Sequence, residues 1–555
     1  MFRDVPQINM RSYLFSFYFF SCFSSAWLGC AEEHFLQKWG CFMQKNILLI
    51  MTDQQRAEYV GYAPGSAAET PNIDRIAKNG AYFTRCCTTN PICTPARTSL
   101  ITGRYPRQIG TLTMSGDLFP QIPTFMQALQ KVGYRTCGIG KFHFTQTYPW
   151  ATPRGCGMDL TAGASRQYGF DEVWETAGKQ QVVGNDCDYG AYLRDKGLLE
   201  QVRDFYVECG GSNGDTPDHN YDRALPWPFA EEDYIDVVTG RKACEWLRAH
   251  PAEQPFYLLA SFCGPHKPYD APQRYLDMVP EEQDGGFLLP DGQVLTDAEK
   301  DALYRQRRSA KAMLRLIDDQ VGALLGTLEE RGMLENTLVL FVSDHGDMLG
   351  DHYRIQKGVP WEQSVRVPLA AWLPGQAPVG EVASPVEISD IAATILEYAG
   401  LDAQQALSRD WPAYNDRIPS RSFLPILRGE ADSCREFCFS ESDFTEERVP
   451  GQDWEQLLQK RGADGRRGNA WQAIITGSGK YVKYLDYAPG ELPYEEYYDL
   501  SADPGETANR IHDPAYQEQA ALARRRLMYL LDHYPAAQKT WCTARAAGYR
   551  KERDL

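Results

Sequence analysis

Apolar residues along this chain fall into two kinds of pattern. Asn46–Met51, Phe256–Phe262, Asn336–Val342 and Val367–Leu373 are runs with little polar interruption. Such runs are strands covered on both faces, as in the sheet of an α/β protein. Between them apolar residues recur at helical spacing, and Tyr234–His250 carries Ile235, Val238, Ala243, Trp246 and Leu247 in this way. Pro71–Gly80, Pro123–Val132, Thr296–Arg331 and Ile388–Ala399 read as further helices, with Gly80 just past the end of the first. Shorter strands are expected at Ala81–Thr84 and Tyr134–Gly140.

Beyond about Ser420 the texture changes. Glu436–Glu441, Trp471–Thr476, Tyr481–Asp486 and Tyr494–Leu500 are short and separated by loops, the pattern of a small antiparallel sheet. Thr147–Asp233 is loop-rich and reads as an elaboration over a site rather than a domain. At the N-terminus, Tyr13–Phe20 begins an apolar run that continues to Leu28-Gly29-Cys30. Residues 11–30 would export or lipid-anchor the protein if they act as a signal. If Met43 is the true start, the protein is cytoplasmic, and that is the reading preferred here. No later run approaches the ~20 apolar residues that span a membrane. The division expected is an N-terminal extension over 1–42, a catalytic α/β domain over 43–420, and a C-terminal α+β subdomain over 421–555.

A net charge of −17 argues against a nucleic-acid backbone as partner, but not against an anionic ester held in a locally basic pocket. The 15 cysteines show no disulfide framework and no Cys-x-x-Cys pair, which fits a reducing compartment. Cys434 and Cys438 stand four apart, a weak metal-site pattern.

Candidate chemistry gathers where strands end. The first run leads into Asp53-Gln54, and the third into Ser343-Asp344-His345. Open α/β sheets place their sites at such carboxyl ends. Asp53, Gln54, Asp344 and His345, with the Cys93 loop, would make a hard-cation site, and its oxygen donors favour Ca²⁺ or Mg²⁺ over zinc. Asp347, Asp351 and His352 read as loop structure. Cys93 stands just ahead of an expected helix, Thr98–Thr102, closed by Gly103. A helix start favours an anion or an activated nucleophile, and Arg97 offers a planar fork of donors for a tetrahedral oxyanion. A buried structural cysteine is the plain alternative for Cys93 alone. Lys141 and His143, at alternate positions of an extended segment, project to one side. His266 is held between Pro265 and Pro268.

Together these segments resemble the sulfatase family. Cys93-Thr94-Pro95-Ala96-Arg97, followed by Leu100-Ile101-Thr102-Gly103-Arg104, resembles the family's signature. Gly140-Lys141-Phe142-His143, Pro265-His266-Lys267-Pro268, Lys357-Gly358 and the segment Tyr498-Asp499-Leu500 to Asn509 resemble its later motifs, in family order. Three of nine histidines fall in the expected site, more than scattered surface histidines would supply.

The resemblance implies an alkaline phosphatase-like α/β sandwich, with a large mixed, mostly parallel sheet flanked by helices and a smaller C-terminal antiparallel sheet. It implies oxidation of Cys93 to formylglycine by a maturation enzyme, and hydrolysis of a sulfate ester, by default of a sulfated sugar. It implies that Arg97, Lys141 and Lys357 hold the sulfate. Asp344 would assist deprotonation, His266 would protonate the leaving oxygen, and His143 would take a proton from position 93. The pairs Asp53-Gln54 and Asp344-His345 depart from the commoner arrangement and resemble the choline-sulfatase and phosphonate-monoester-hydrolase branch. Lys141 with His143 favours sulfate over phosphonate or phosphate esters. A zinc phosphatase using Thr94, or a non-catalytic sulfoglycan-binding protein with unmodified Cys93, are the competing readings.

Overall fold

In the computed structural model, strand β1 (Asn46–Asp53) is buried along its whole length at the centre of an eight-stranded sheet. The described residues are 46–537, apart from 67, 115–117, 145–158, 210–223, 282–285, 290–293, 409–416, 444–469 and 486–493. The apolar run at residues 13–20 and the choice of start at Met43 lie outside them.

The remaining strands are β2 (Ala81–Phe83), β3 (Cys86–Cys87), β4 (Arg135–Lys141), β5 (Glu172–Thr176), β6 (Phe256–Pro265), β7 (Thr337–Ser343), β8 (Leu369–Trp372), β9 (Gly380–Val382), β10 (Val386–Glu387), β11 (Cys438–Asp443), β12 (Ala470–Ile475), β13 (Gly479–Tyr484) and β14 (Glu495–Asp499). The large sheet runs β5-β4-β6-β1-β7-β8-β2-β9. Its centre, β4-β6-β1-β7, is parallel, and β8 pairs antiparallel with both β7 and β2.

β1 shows why the runs are apolar throughout. Leu48 and Ile50 enter one core, and Ile47, Leu49 and Met51 the other. Successive side chains of a strand point to opposite faces, so a sheet covered on both sides needs every position apolar. Helices α1 (Pro71–Asn79), α2 (Cys93–Thr102), α3 (Phe125–Lys131), α4 (Ile235–Ala249), α5 (Asp297–Glu330) and α6 (Asp390–Tyr398) supply the cover. Ile73 of α1, Val238 of α4 and Leu314 of α5 pack with the Leu48 side. Leu100 of α2, Leu129 of α3 and Ile395 of α6 pack with the Ile47 side. The 34-residue α5 starts with a capping box between Thr296 and Glu299, which satisfies two backbone donors that would otherwise be left open.

β11 to β14 form a separate antiparallel sheet. One face carries Trp471, Ala473 and Val482 against Cys87 and Val365 of the main body. The other carries Ile474 and Tyr481 against Leu527 and Leu530 of a closing helix, α7 (Gln517–His533). Both sheets belong to one compact unit, residues 45–555. Among the described residues no helix is long and apolar enough to cross a membrane.

Three local expectations change. The cysteine helix starts at Cys93 itself, with Ile92 as cap, and ends at Gly103 in the left-handed conformation, φ 63°. Residues 159–209 are more ordered than their loop-rich sequence suggested, since β5 joins the sheet edge and Val182, Leu193, Val202 and Tyr206 enter the main core. His143 is not in an extended segment: its φ is +57°, two residues past the end of β4, so strand alternation does not set its direction.

Candidate active site

β1 and β7 end side by side, Thr52 pairing with Ser343. The Ser343 hydroxyl oxygen accepts from Gln55 N at 3.0 Å and locks the two turns together. This brings Asp53 and Asp344 to one point beyond the sheet, while α2 points its first turn at them. Asp53, Cys93, Asp344 and His345 each offer a ligand atom, all within 4.8 Å of one another and all buried.

Arg97 binds this group together. Its Nη2 pairs with Asp53 Oδ2 at 3.0 Å and its Nε with Asp344 Oδ2 at 2.7 Å. Its Nη1 donates to the Lys141 carbonyl at 2.7 Å and to Ser261 Oγ at 2.9 Å. The side chain is 1% exposed. Arg97 thus places its positive charge within the site. All three nitrogens are engaged by the protein, and the guanidinium fixes the distance between two carboxylates that would otherwise repel.

Lys141 places Nζ 2.6 Å from Asp53 Oδ2. Its strand can come this close because Gly140, at φ +110°, has no side chain; a Cβ there would lie 1.8 Å from the Ser261 carbonyl oxygen. Burial and the Cys93 sulfur both work to raise the Asp53 carboxyl, but Lys141, His266 and Arg97 outweigh them and hold it well below the usual carboxylate range.

Five groups converge on Cys93. Lys357 Nζ and His345 Nε2 each lie 3.2 Å from Sγ, Asp53 Oδ1 lies 3.8 Å away, and His143 and His266 each make a side-chain hydrogen bond to the thiol. Burial alone would raise the thiol, yet Lys357, then Lys141 and His345, lower it well below its ordinary value. Burial and Lys141 push His143 down. Burial, then Lys357, push His266 down to about 3. His345 goes the other way, because Asp344 overcomes the cost of burying its charge.

Gln54 sits at φ 66° after β1 and joins the same site. Its backbone N donates to Asp344 Oδ1 at 3.1 Å, and its Oε1 accepts from Lys357 Nζ at 2.7 Å. Its Nε2 donates to Asp347 Oδ2 at 2.6 Å, an oxygen that also accepts from Tyr269 OH at 2.7 Å. Asp347, read from sequence as loop structure, thus fixes which way the Gln54 amide faces. Asp351 does have a purely structural role: it pairs with Arg56 and Arg307. His266 donates from Nδ1 to the Lys267 carbonyl, 2.7 Å away, so its Nε2 edge is the one left for chemistry.

The donor set fits a hard divalent cation. Two carboxylates and one imidazole meet at a buried point beside the Cys93 sulfur, and the Gln54 amide oxygen is held by Lys357 Nζ, itself in contact with that sulfur. The surrounding ammonium and imidazole groups suit an anionic ester. Fold and site together suit the hydrolysis of an anionic ester.

Comparison with known proteins gives the family. Residues 45–401 match the sulfatase family, and the chain belongs to it. It is 29% identical over 510 residues to an arylsulfatase of Clostridium perfringens, covering 88% of this chain and 95% of that one. It is 30% identical over 490 residues to an ulvan-active sulfatase of Formosa agariphila, covering 85% and 78%. Among solved structures it resembles the phosphonate monoester hydrolase of Agrobacterium radiobacter, at 22% identity and a TM-score of 0.69, over 88% of this chain and 96% of that one. The protein is a sulfuric ester hydrolase.

Proposed function

We propose that this chain hydrolyses the sulfate ester of a sulfated carbohydrate, through a formylglycine made from Cys93 and a Ca²⁺ or Mg²⁺ ion held by Asp53, Gln54, Asp344, His345 and position 93. The observation that carries the reading is the convergence of Lys357, His345 and Asp53 on the Cys93 sulfur. Three charged or polar groups around one buried side chain suit a reacting atom better than a core cysteine. The sugar leaving group is supported by the relative named as an N-acetylglucosamine-6-O-sulfatase.

A cation at these residues would supply Lewis acidity toward a sulfate oxygen. Formylglycine would supply a hydrated carbonyl, whose hydroxyl replaces the thiol as nucleophile. The chain's own groups do the rest. Lys357 and Lys141 hold negative charge at the reacting centre, where low dielectric strengthens each contact. His266 is neutral in the free site because of burial and Lys357. An incoming sulfate screens Lys357 and raises His266, which can then deliver a proton to the leaving oxygen. His143, kept neutral by burial and Lys141, is set to accept a proton at position 93.

Peptide mass spectrometry across Cys93, on protein from its native host, tests the modification. An aldehyde mass is expected, and an unchanged thiol with full turnover would sink the mechanism. Parallel assays on aryl sulfate, sulfated sugars and an aryl phosphonate test the substrate class, with sulfate turnover expected to lead by at least ~10² in kcat/KM.

A further inference from the structure

The loop that carries Lys357 is held by the small C-terminal sheet. Trp471 Nε1 on β12 donates to the Gly358 carbonyl at 3.0 Å. Lys480 Nζ on β13 donates to the Pro360 carbonyl at 2.9 Å, and pairs with Glu362 Oε1 and Glu506 Oε1 at 2.8 Å each. Glu506 Oε2 in turn accepts from Glu362 N at 2.6 Å. A little upstream, His352 stacks on Trp361 with ring centroids 4.3 Å apart, and its Nε2 lies 3.0 Å from the Gly505 carbonyl. Trp471 and Lys480 are fully buried.

We infer that Trp471 and Lys480 of the C-terminal sheet are positioning residues for catalysis, acting through Lys357. The inference rests on the reading that Lys357 serves the reaction. Gly358 follows Lys357 directly, and at φ +91° it is free of the side chain that would otherwise restrain it, so its carbonyl direction is set by what binds it. With the indole donor in place, the peptide that joins Gly358 to Val359, immediately after the Lys357 residue, has a fixed orientation, and this anchors the backbone from which Nζ reaches Gln54 Oε1 and position 93. One further backbone carbonyl, that of Pro360, and one amide, that of Glu362, are held as well, because a single buried ammonium and a single carboxylate bind them. A burial of Lys480 that served stability alone would not need to end on this loop, since an apolar residue of similar volume often does as well as a buried ion pair. The small sheet is therefore part of the active-site scaffold.

The test is a double-mutant cycle on the mature enzyme with an aryl sulfate. Trp471→Phe keeps the ring packing and removes one donor; Lys480→Met removes the ammonium. Trp471→Phe is expected to lower kcat by about tenfold, with far-UV circular dichroism and position-93 modification unchanged. Lys357→Ala is expected to lower kcat further, and Trp471→Phe added to it should have no additional effect. Losses that multiply, or a Trp471→Phe enzyme with full kcat, would overturn the inference. A Lys480→Met protein that fails to fold leaves the milder Trp471→Phe arm decisive. A harmless Lys357→Ala would instead remove the assigned role of Lys357, and this inference with it, so the two failures are told apart by that single variant.

Discussion

Lys357 and Cys93 are in contact, ammonium nitrogen to sulfur at 3.2 Å, although 264 residues separate them. No other group lowers the thiol more than Lys357 does, and it acts against the full cost of burying a thiolate. In protein prepared with Cys93 unmodified, Lys357→Met should therefore move the thiolate absorbance titration to higher pH. An unshifted titration would show that the contact does not persist in solution.

Arg97 spans Asp53 and Asp344, and lysine cannot replace a planar fork that serves both. Arg97→Lys should leave one of the two buried carboxylates without its guanidinium contact, lowering stability and activity as well. Urea denaturation reads the first and steady-state kinetics the second. A fall in activity with unchanged stability would instead favour direct contact of Arg97 with the ester.

Removal of a divalent ion should abolish turnover without unfolding the chain. Arg97 and Lys141 already neutralise Asp53, so the carboxylates are not left to repel one another. A chelator should lower the melting temperature, since an ion at 100 times its Kd contributes about 2.7 kcal/mol. Ca²⁺ or Mg²⁺ added back should restore both properties, and the better of the two names the ion.

Glu175 lies on β5, buried, with Ser165 Oγ donating to its Oε2 at 2.8 Å. Burial pushes its carboxyl up to about 8 from 4.5. The folded form keeps a proton that the unfolded form has lost, so this group's contribution is complete below about pH 4.5 and is lost as pH rises through about 8. Glu175→Gln copies the neutral acid and should flatten the stability profile over that window, by at most ~1.4 kcal/mol per pH unit. Denaturation at pH 5, 6.5 and 8 measures the slope; equal slopes in both proteins would mean that Glu175 is ionised throughout.

Much of this architecture is legible in the sequence because of one physical fact. A strand covered on both faces must be apolar at every position, so Asn46–Asp53 and Thr337–Ser343 declare themselves, and the polar residues that follow mark the site. Edge elements lack that constraint. Glu172–Thr176 is half-exposed and mixes Val and Trp with two glutamates, and its place in the sheet is set by pairing with Cys137–Lys141. The amphipathic Gln517–His533, absent from the expectations, is fixed by the apolar face of the small sheet it covers. Within the site, residue types were readable and their partners were not. The two carboxylates that Arg97 spans could not be read from its motif, and Asp347 looked like loop structure until Gln54 and Tyr269 were seen to share its oxygen.

The pairing of β1 with β7 also orders events in time. Gln54 and Asp344 are 290 residues apart. At about 5–20 residues per second, the ribosome needs roughly 15 to 60 s to make the chain between them. For that interval the first half of the protein has Cys93 without the wall that will enclose it. Cys93, 1% exposed in the finished fold, is then open to solvent and to any enzyme that works on nascent chains.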